Sequence, residues 1–192
     1  IIAGLGLFSV ALALGAQNFF KNLIGGLLII GEKRFKQGDW INIEGVAEGE
    51  VEKIDFRSTL IRKFDSTPIT IPNYIFAEAP ILNYTNRNYR RINWTIGLEY
   101  NSTLDQIKKL TEIISSYLME SDSFMVNDEY KSFVRIEKFN DSSIDILIIC
   151  FTSTKDWDKY LEIKEHLAMK IKDSVEKIGL NFAFPSHSIY IE

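Results

Sequence analysis

Residues 1–30 contain a single charged side chain, Lys21, and residues 1–14 contain none. That run constrains the chain more than any other feature, because about 20 predominantly apolar residues suffice to cross roughly 30 Å of hydrocarbon. A secretory signal would need a basic start, which is absent. A buried core helix rarely needs thirty residues with one charge, so a membrane helix over 1–31 is the expectation. The even overall balance, 46% hydrophobic with a mean hydropathy of -0.03, conceals this asymmetry. Charges recur every few residues after position 31, beginning with Lys33, Arg34 and Lys36. Positive charge beside a span marks the cytoplasmic side, so the remainder is expected in the cytoplasm. The chain opens on Ile1 within the apolar run, as expected of a piece of a longer protein.

Composition narrows the role of this helix. Gly4, Ser9, Ala11, Ala13 and Gly15 make it rich in small residues, which let helix backbones approach in a medium that offers no hydrophobic drive between helices. Ser9/Ala13 and Ala11/Gly15 sit one turn apart and suit a neighbouring helix. Leu7, Val10, Leu14 and Gln17 recur every three or four residues and share another face. In a ring of parallel copies that face forms an apolar collar, which can stop ions by losing its water. The polar cluster Gln17, Asn18, Lys21 and Asn22 predicts a bend near 17–22. Gly25 and Gly26 weaken the helix further, and 23–30 is expected to resume as a more interfacial helix.

Two further segments follow. Residues 32–88 read as short strands separated by turns, with candidates at 40–43, 51–54, 59–64 and 69–71 rich in β-branched and aromatic residues. Asn73 is placed to cap a short helix through Ala77. Residues 89–192 change pattern. Ile92, Trp94, Ile96 and Leu98 alternate as a half-buried strand. Leu104, Ile107, Leu110, Ile114 and Tyr117 follow at helical spacing behind the cap residues Ser102 and Thr103. Strands at 133–139 and 142–152 come next. A second helical stripe comprises Trp157, Tyr160, Leu161, Ala168, Ile171, Val175 and Ile178, closed by Gly179. Extended chain from 182 to 191 ends the sequence. This β-α-β-β-α-β order is the ferredoxin-like arrangement, although a fold alone does not give a function.

Several motifs, in order, resemble the small-conductance mechanosensitive ion channel (MscS) family. The Gly/Ala-rich helix ends in Gln17 and continues through Asn22-Leu23 and Gly26-Leu27-Leu28. Phe-Lys-Gln-Gly-Asp at 35–39 is similar to the family's F-x-x-G-D/E entry to its first soluble domain. Gly45-Val46, Gly49, Val51, Ile54, Arg57-Ser58-Thr59, Asp65 and Ile71-Pro72-Asn73 follow in the family's order. The resemblance implies a pore helix, a small all-β (Sm-like) domain and the α+β ferredoxin-like domain. It implies a homo-heptamer in membrane lipid, in the bacterial inner (cytoplasmic) membrane, opened by tension to release ions and small solutes during hypo-osmotic shock. It places the two constriction rings on Val10 and Leu14, the first being leucine in the best-known member. Asn18 stands where the family has a kink glycine, so the bend is left open within 17–22.

Bond chemistry finds little support. His166 lies among charged residues on a helix, and His187 follows Pro185 far away; neither has a partner at zinc-ligand spacing. Cys150 sits in the apolar run 144–151, as a buried structural thiol does, and one cysteine builds no disulfide framework. Asp156/Asp158 and Glu137/Asp141 read as a helix start and a loop rather than acid–base pairs. Gly4-Leu5-Gly6 opens no phosphate loop, and no cofactor motif is present. The net charge of -4 and the absence of a basic stripe argue against nucleic acid. Two readings remain: a conducting channel, or a membrane-anchored oligomeric scaffold or sensor that conducts nothing.

Overall fold

Where the apolar run predicts a span, the computed structural model places one helix, α1 (Ile2–Glu32), assigned without a break through 17–22. The structure describes residues 2–185, and the side-chain surroundings of residues 6 and 8 onward; Gly4, Leu7 and His187 therefore lie outside what is described. At 1.5 Å per residue, α1 is about 46 Å long, more than a bilayer core requires. Its two halves differ. Between Phe8 and Phe20 nearly every side chain is exposed, whereas Asn22, Gly25, Gly26 and Ile29 are buried. These four share one helical face, and that face is docked on protein. The chain divides into two compact units, Ile1–Arg87 and Asn88–Glu192.

In the first unit, β1 (Trp40–Ile43), β2 (Ala47–Ile54), β3 (Ser58–Arg62), β4 (Pro68–Pro72) and β5 (Ile81–Asn83) form an antiparallel sheet in the order β4-β3-β2-β1-β5. β2 is bulged between Val51 and Lys53. Alternation buries Ile41, Ile43, Val51, Ile61 and Ile71 on one face, against Ile29 of α1, Phe35, and Phe76 of α2 (Asn73–Glu78). Each such side chain contributes about 1.5–3 kcal/mol on burial. The Phe-Lys-Gln-Gly-Asp segment is a turn closed by its own acid. Gly38 takes φ +87°, and the buried Asp39 carboxylate accepts from Lys36 N (3.1 Å) and Asn83 Nδ2 (2.8 Å). In the β3–β4 hairpin Asp65 accepts from Thr67 N at 3.0 Å, which holds its carboxyl below 3.8.

The second unit is a sheet centred on β9 (Ile144–Thr152), flanked on one side by β6 (Arg90–Leu98) and on the other by β8 (Phe133–Phe139) and the short β7 (Phe124–Met125), all antiparallel. After the last helix the chain returns to the outer edge of β6, where Phe182 bridges Leu98 and Ala183 N donates to Gly97 O. α3 (Leu104–Glu120) and α4 (Trp157–Ile178) bury Ile107, Leu110, Ile114 and Leu118, and Leu167, Ile171 and Val175, against Ile92, Ile146, Ile148 and Cys150. Thr103 and Gln106 close a capping box at α3; Asp156 caps α4, and Gly179 ends it at φ +75°. These are helix punctuation marks of known strength, about 1 kcal/mol for an N-cap.

Candidate functional site: the exposed half of α1 and its seat

Val10 and Leu14 are 58% and 67% exposed, and Gln17 stands one turn below, also exposed. At 3.6 residues per turn, their face lies roughly 100° around the helix from the docked face of Asn22, Gly25, Gly26 and Ile29. The stripe expected to line a pore is therefore not the one covered by the chain's own β domain. Ser9, Ala11, Ala13 and Gly15 are likewise exposed, and nothing lies within 4 Å of a Cβ built on Gly15. α1 is long and apolar enough to cross a membrane by length and composition. Because docking begins at Asn22, the part of α1 before it, about 20 residues of helix from Ile2, has the length a span needs.

The seat is made of backbone and the Asn73 amide. A Cβ on Gly25 would come within 2.6 Å of Asn73 O, and one on Gly26 within 2.8 Å of Asn73 Nδ2 and 2.9 Å of Phe56 O. Only glycine permits that approach. Asn22 adds polar contacts: its Nδ2 donates to Asn18 O (2.8 Å), and its Oδ1 accepts from Tyr74 N (3.3 Å). Asn18 is thus tied to Asn22 by a side-chain to backbone bond four residues along, a kind that competes with the helical ladder.

Asn73 is the hub. It is fully buried; its Oδ1 accepts from Thr59 Oγ1 (2.9 Å), its Nδ2 donates to Asp55 O (2.8 Å), and its N donates to Arg57 O (2.9 Å). It does not cap α2: Pro72 holds the N-cap position and no side chain caps the helix. A buried amide must satisfy its own donors and acceptors, and here Thr59 of β3 and Asp55 of the β2–β3 turn do so. The sequence signal available was the Arg-Ser-Thr and Ile-Pro-Asn pair of motifs, which meet at this amide.

Elsewhere the chemistry is quiet. Burial pushes the Cys150 thiol up from 9.0 to about 12. Asp156 is the α4 cap and Glu137 accepts from Thr95 Oγ1. Among the described residues no group of three or more His, Cys, Asp or Glu can hold a metal ion.

The sheet-bearing units behind a membrane-length helix define a class of membrane protein built around a docked apolar helix, and comparison with known proteins gives the family. Residues 18–86 match the model described as mechanosensitive ion channel, beta-domain, and residues 92–182 match mechanosensitive ion channel MscS, C-terminal. The chain belongs to the MscS family of mechanosensitive channels, a family of channels and not enzymes. It is 39% identical over its whole length to an uncharacterized MscS family protein of Aquifex aeolicus, covering 51% of that protein. It is also 39% identical over its whole length to the small-conductance mechanosensitive channel MscMJ of Methanocaldococcus jannaschii, covering 53% of it. The chain thus spans about half the length of these curated relatives. Among solved structures, closed-state MscS of Helicobacter pylori superposes with a TM-score of 0.84 at 27% identity, over 100% of this chain and 73% of that one. MSL1 of Arabidopsis thaliana (the A320V form) gives 0.83 at 20% identity, over 94% and 66%, a likeness of fold.

Proposed function

We propose that this chain supplies the pore helix and cytoplasmic part of a homo-oligomeric, tension-opened ion channel, with Val10 and Leu14 as its apolar constriction. The observation that carries this is the uncovered Val10/Leu14/Gln17 stripe on a family member whose β domain grips a different face of the same helix. In the assembly Leu7 and Gln17 extend the lining, while Gly4, Ser9, Ala11, Ala13 and Gly15 seat neighbouring copies. A bend at Asn18 separates pore from seat, and the Asn22 side chain on the Asn18 carbonyl gives that bend a local cause. The domains divide as 1–31, 32–88 and 89–192. The first sheet is Sm-like. The second unit is ferredoxin-like, the chain after α4 supplying the fourth strand beside β6. Seven copies surround the pore in a cell membrane, with the sheets in the cytoplasm.

Membrane tension favours whichever state occupies more area, and it shifts the equilibrium only through that difference. Widening the collar rewets it and lets ions and small solutes pass. Patch-clamp recording of the full-length channel tests this. Leu14→Ser puts a hydroxyl at the ring and should lower the opening tension relative to wild type. An unchanged threshold would remove Leu14 from the gate, and absence of any conductance in stretched bilayers would favour a membrane-anchored scaffold.

A further inference from the structure

Lys21 is the single charged side chain among residues 1–30, and it lies on the stripe that carries Val10 and Leu14. At about 100° per residue, Lys21 stands roughly 20° from Val10, between Leu14 and Gln17 on the helix circumference. Ile24 and Leu28, 55% and 40% exposed, continue the same stripe. The positions 10, 14, 17, 21, 24 and 28 alternate steps of four and three, the heptad rhythm that keeps one seam of a helix facing its neighbours.

The next residue, Asn22, is buried on the β domain, whereas Lys21 is exposed and has no ion pair or hydrogen bond among the described residues. The nearest acid on α1, Glu32, stands eleven positions farther on, and Arg34 already pairs with it. A cation turned toward lipid meets neither counter-charge nor water, so charged groups on membrane helices face a bundle interior or a water-filled passage. Symmetry then repeats the charge: in a closed ring of copies every Lys21 sits at the same depth and the same distance from the axis.

We propose that the Lys21 ammonium groups form a ring at the cytoplasmic mouth of the collar, and that this ring makes the open pore favour anions over cations. The proposal rests on the pore reading of Val10 and Leu14 and adds an ion preference to it. Rings of lysine or arginine attract anions and repel cations where a passage narrows. Lys21 lies about 10 Å along the helix from Leu14, so the charge stands beyond the apolar constriction and leaves its dewetting intact. It is also less than one turn past Asn18, so a bend there flares the mouth and keeps the ammonium groups on its rim. The field of such a ring reaches about 8 Å at physiological salt and about 30 Å at 0.01 M, which makes the preference strongest in dilute solution.

Reversal potentials of tension-activated currents, recorded from the full-length channel in a potassium chloride gradient, test this. The wild-type chloride-to-potassium permeability ratio should exceed one and rise further when both solutions are diluted. Lys21→Gln should lower it about threefold or more, Lys21→Glu should bring it below one, and Lys21→Arg should keep it. Lys21→Cys lets the charge be set after assembly, because the native thiol, Cys150, is buried. A methanethiosulfonate reagent bearing an ammonium group should then restore the ratio, and one bearing a sulfonate should invert it. A wild-type channel with no tension-activated current would remove the pore reading, and this one with it. Currents with a wild-type ratio at or below one, or with the same ratio in wild type, Lys21→Gln and Lys21→Glu, would overturn the lysine ring alone and leave the gate at Leu14 standing.

Discussion

A carbonyl of Asn73 and an α-carbon of Gly25 set a limit on the molecule that no side chain can relax. Gly25→Val places bulk where a Cβ alone would sit 2.6 Å from Asn73 O, and overpacking of this kind costs about 1–3 kcal/mol. Hydrogen exchange should report it as faster amide exchange across residues 22–30, with the rest of the sheet little changed. Cys150 makes a second residue-scale case. Its thiol ionises at 9.0 when the chain is unfolded and only near 12 when folded. The native state therefore favours the protonated form, and this contribution to stability is fully present below pH 9 and declines as the pH rises from 9 to 12. Maleimide at pH 8 should leave native Cys150 unlabelled and label it quantitatively in denaturant; rapid native labelling would contradict its burial. Gly179 was legible from sequence as a helix cap. Asn73 was read as a helix cap, because a cap and a buried amide present the same letter and only the packing of β2 and β3 distinguishes them.

At the scale of elements, periodicity located β6, α3 and α4 of the second unit, each of which has one buried face. The α3 stripe was right from Ile107 on, whereas that of α4 was wrong at Trp157, Leu161 and Ala168, which are exposed, and omitted the buried Leu167. Leu104 is 78% exposed and Trp157 46%; Trp157 receives Arg90 of β6 over its ring at 4.9 Å. β5 and β7, of three and two residues, are too short to carry a period and were not visible. The run 1–30 read as an apolar span interrupted by a polar cluster at 17–22, but its division into an exposed half and a docked half depends on a partner surface far along the chain. That division has a consequence for truncation. A chain beginning at Asn22 keeps Ile29, which is 2% exposed in the first core, and should fold as a soluble protein. A chain beginning at Lys33 loses Ile29, Gly25 and Asn22 together and should show a lower thermal midpoint by circular dichroism. Equal midpoints for the two would mean that α1 contributes nothing to the β domain.

For the molecule as a whole, the two units differ in what they leave open. The second closes its core with helices on its sheet, so its interior is complete in one copy. The first completes its core only by borrowing the end of α1, and the remainder of that helix, Val10 and Leu14 included, stays uncovered. A protein that leaves Phe8, Val10, Leu12, Leu14, Phe19 and Phe20 exposed on one helix needs lipid, other helices, or both. Counting the rotational symmetry of the purified full-length assembly in lipid should return seven copies with the Val10/Leu14 stripe toward the axis; a monomer, or a ring with that stripe facing lipid, would contradict the channel reading. Membership in the family was legible from ordered motifs, whereas the copy number resides in surfaces that meet only between chains.

The glycine seat under α1 bears on how such a machine could transmit force. Side chains between two elements act as springs, since each rotamer change absorbs displacement. At Gly25 there is no spring: main chain rests on the main chain of Asn73, which is itself tied to Thr59 of β3 and to the β2–β3 turn. A pull along α1 would therefore reach β3 and the β2–β3 turn through few rotatable side chains, with Asn73 as the joint that must give first.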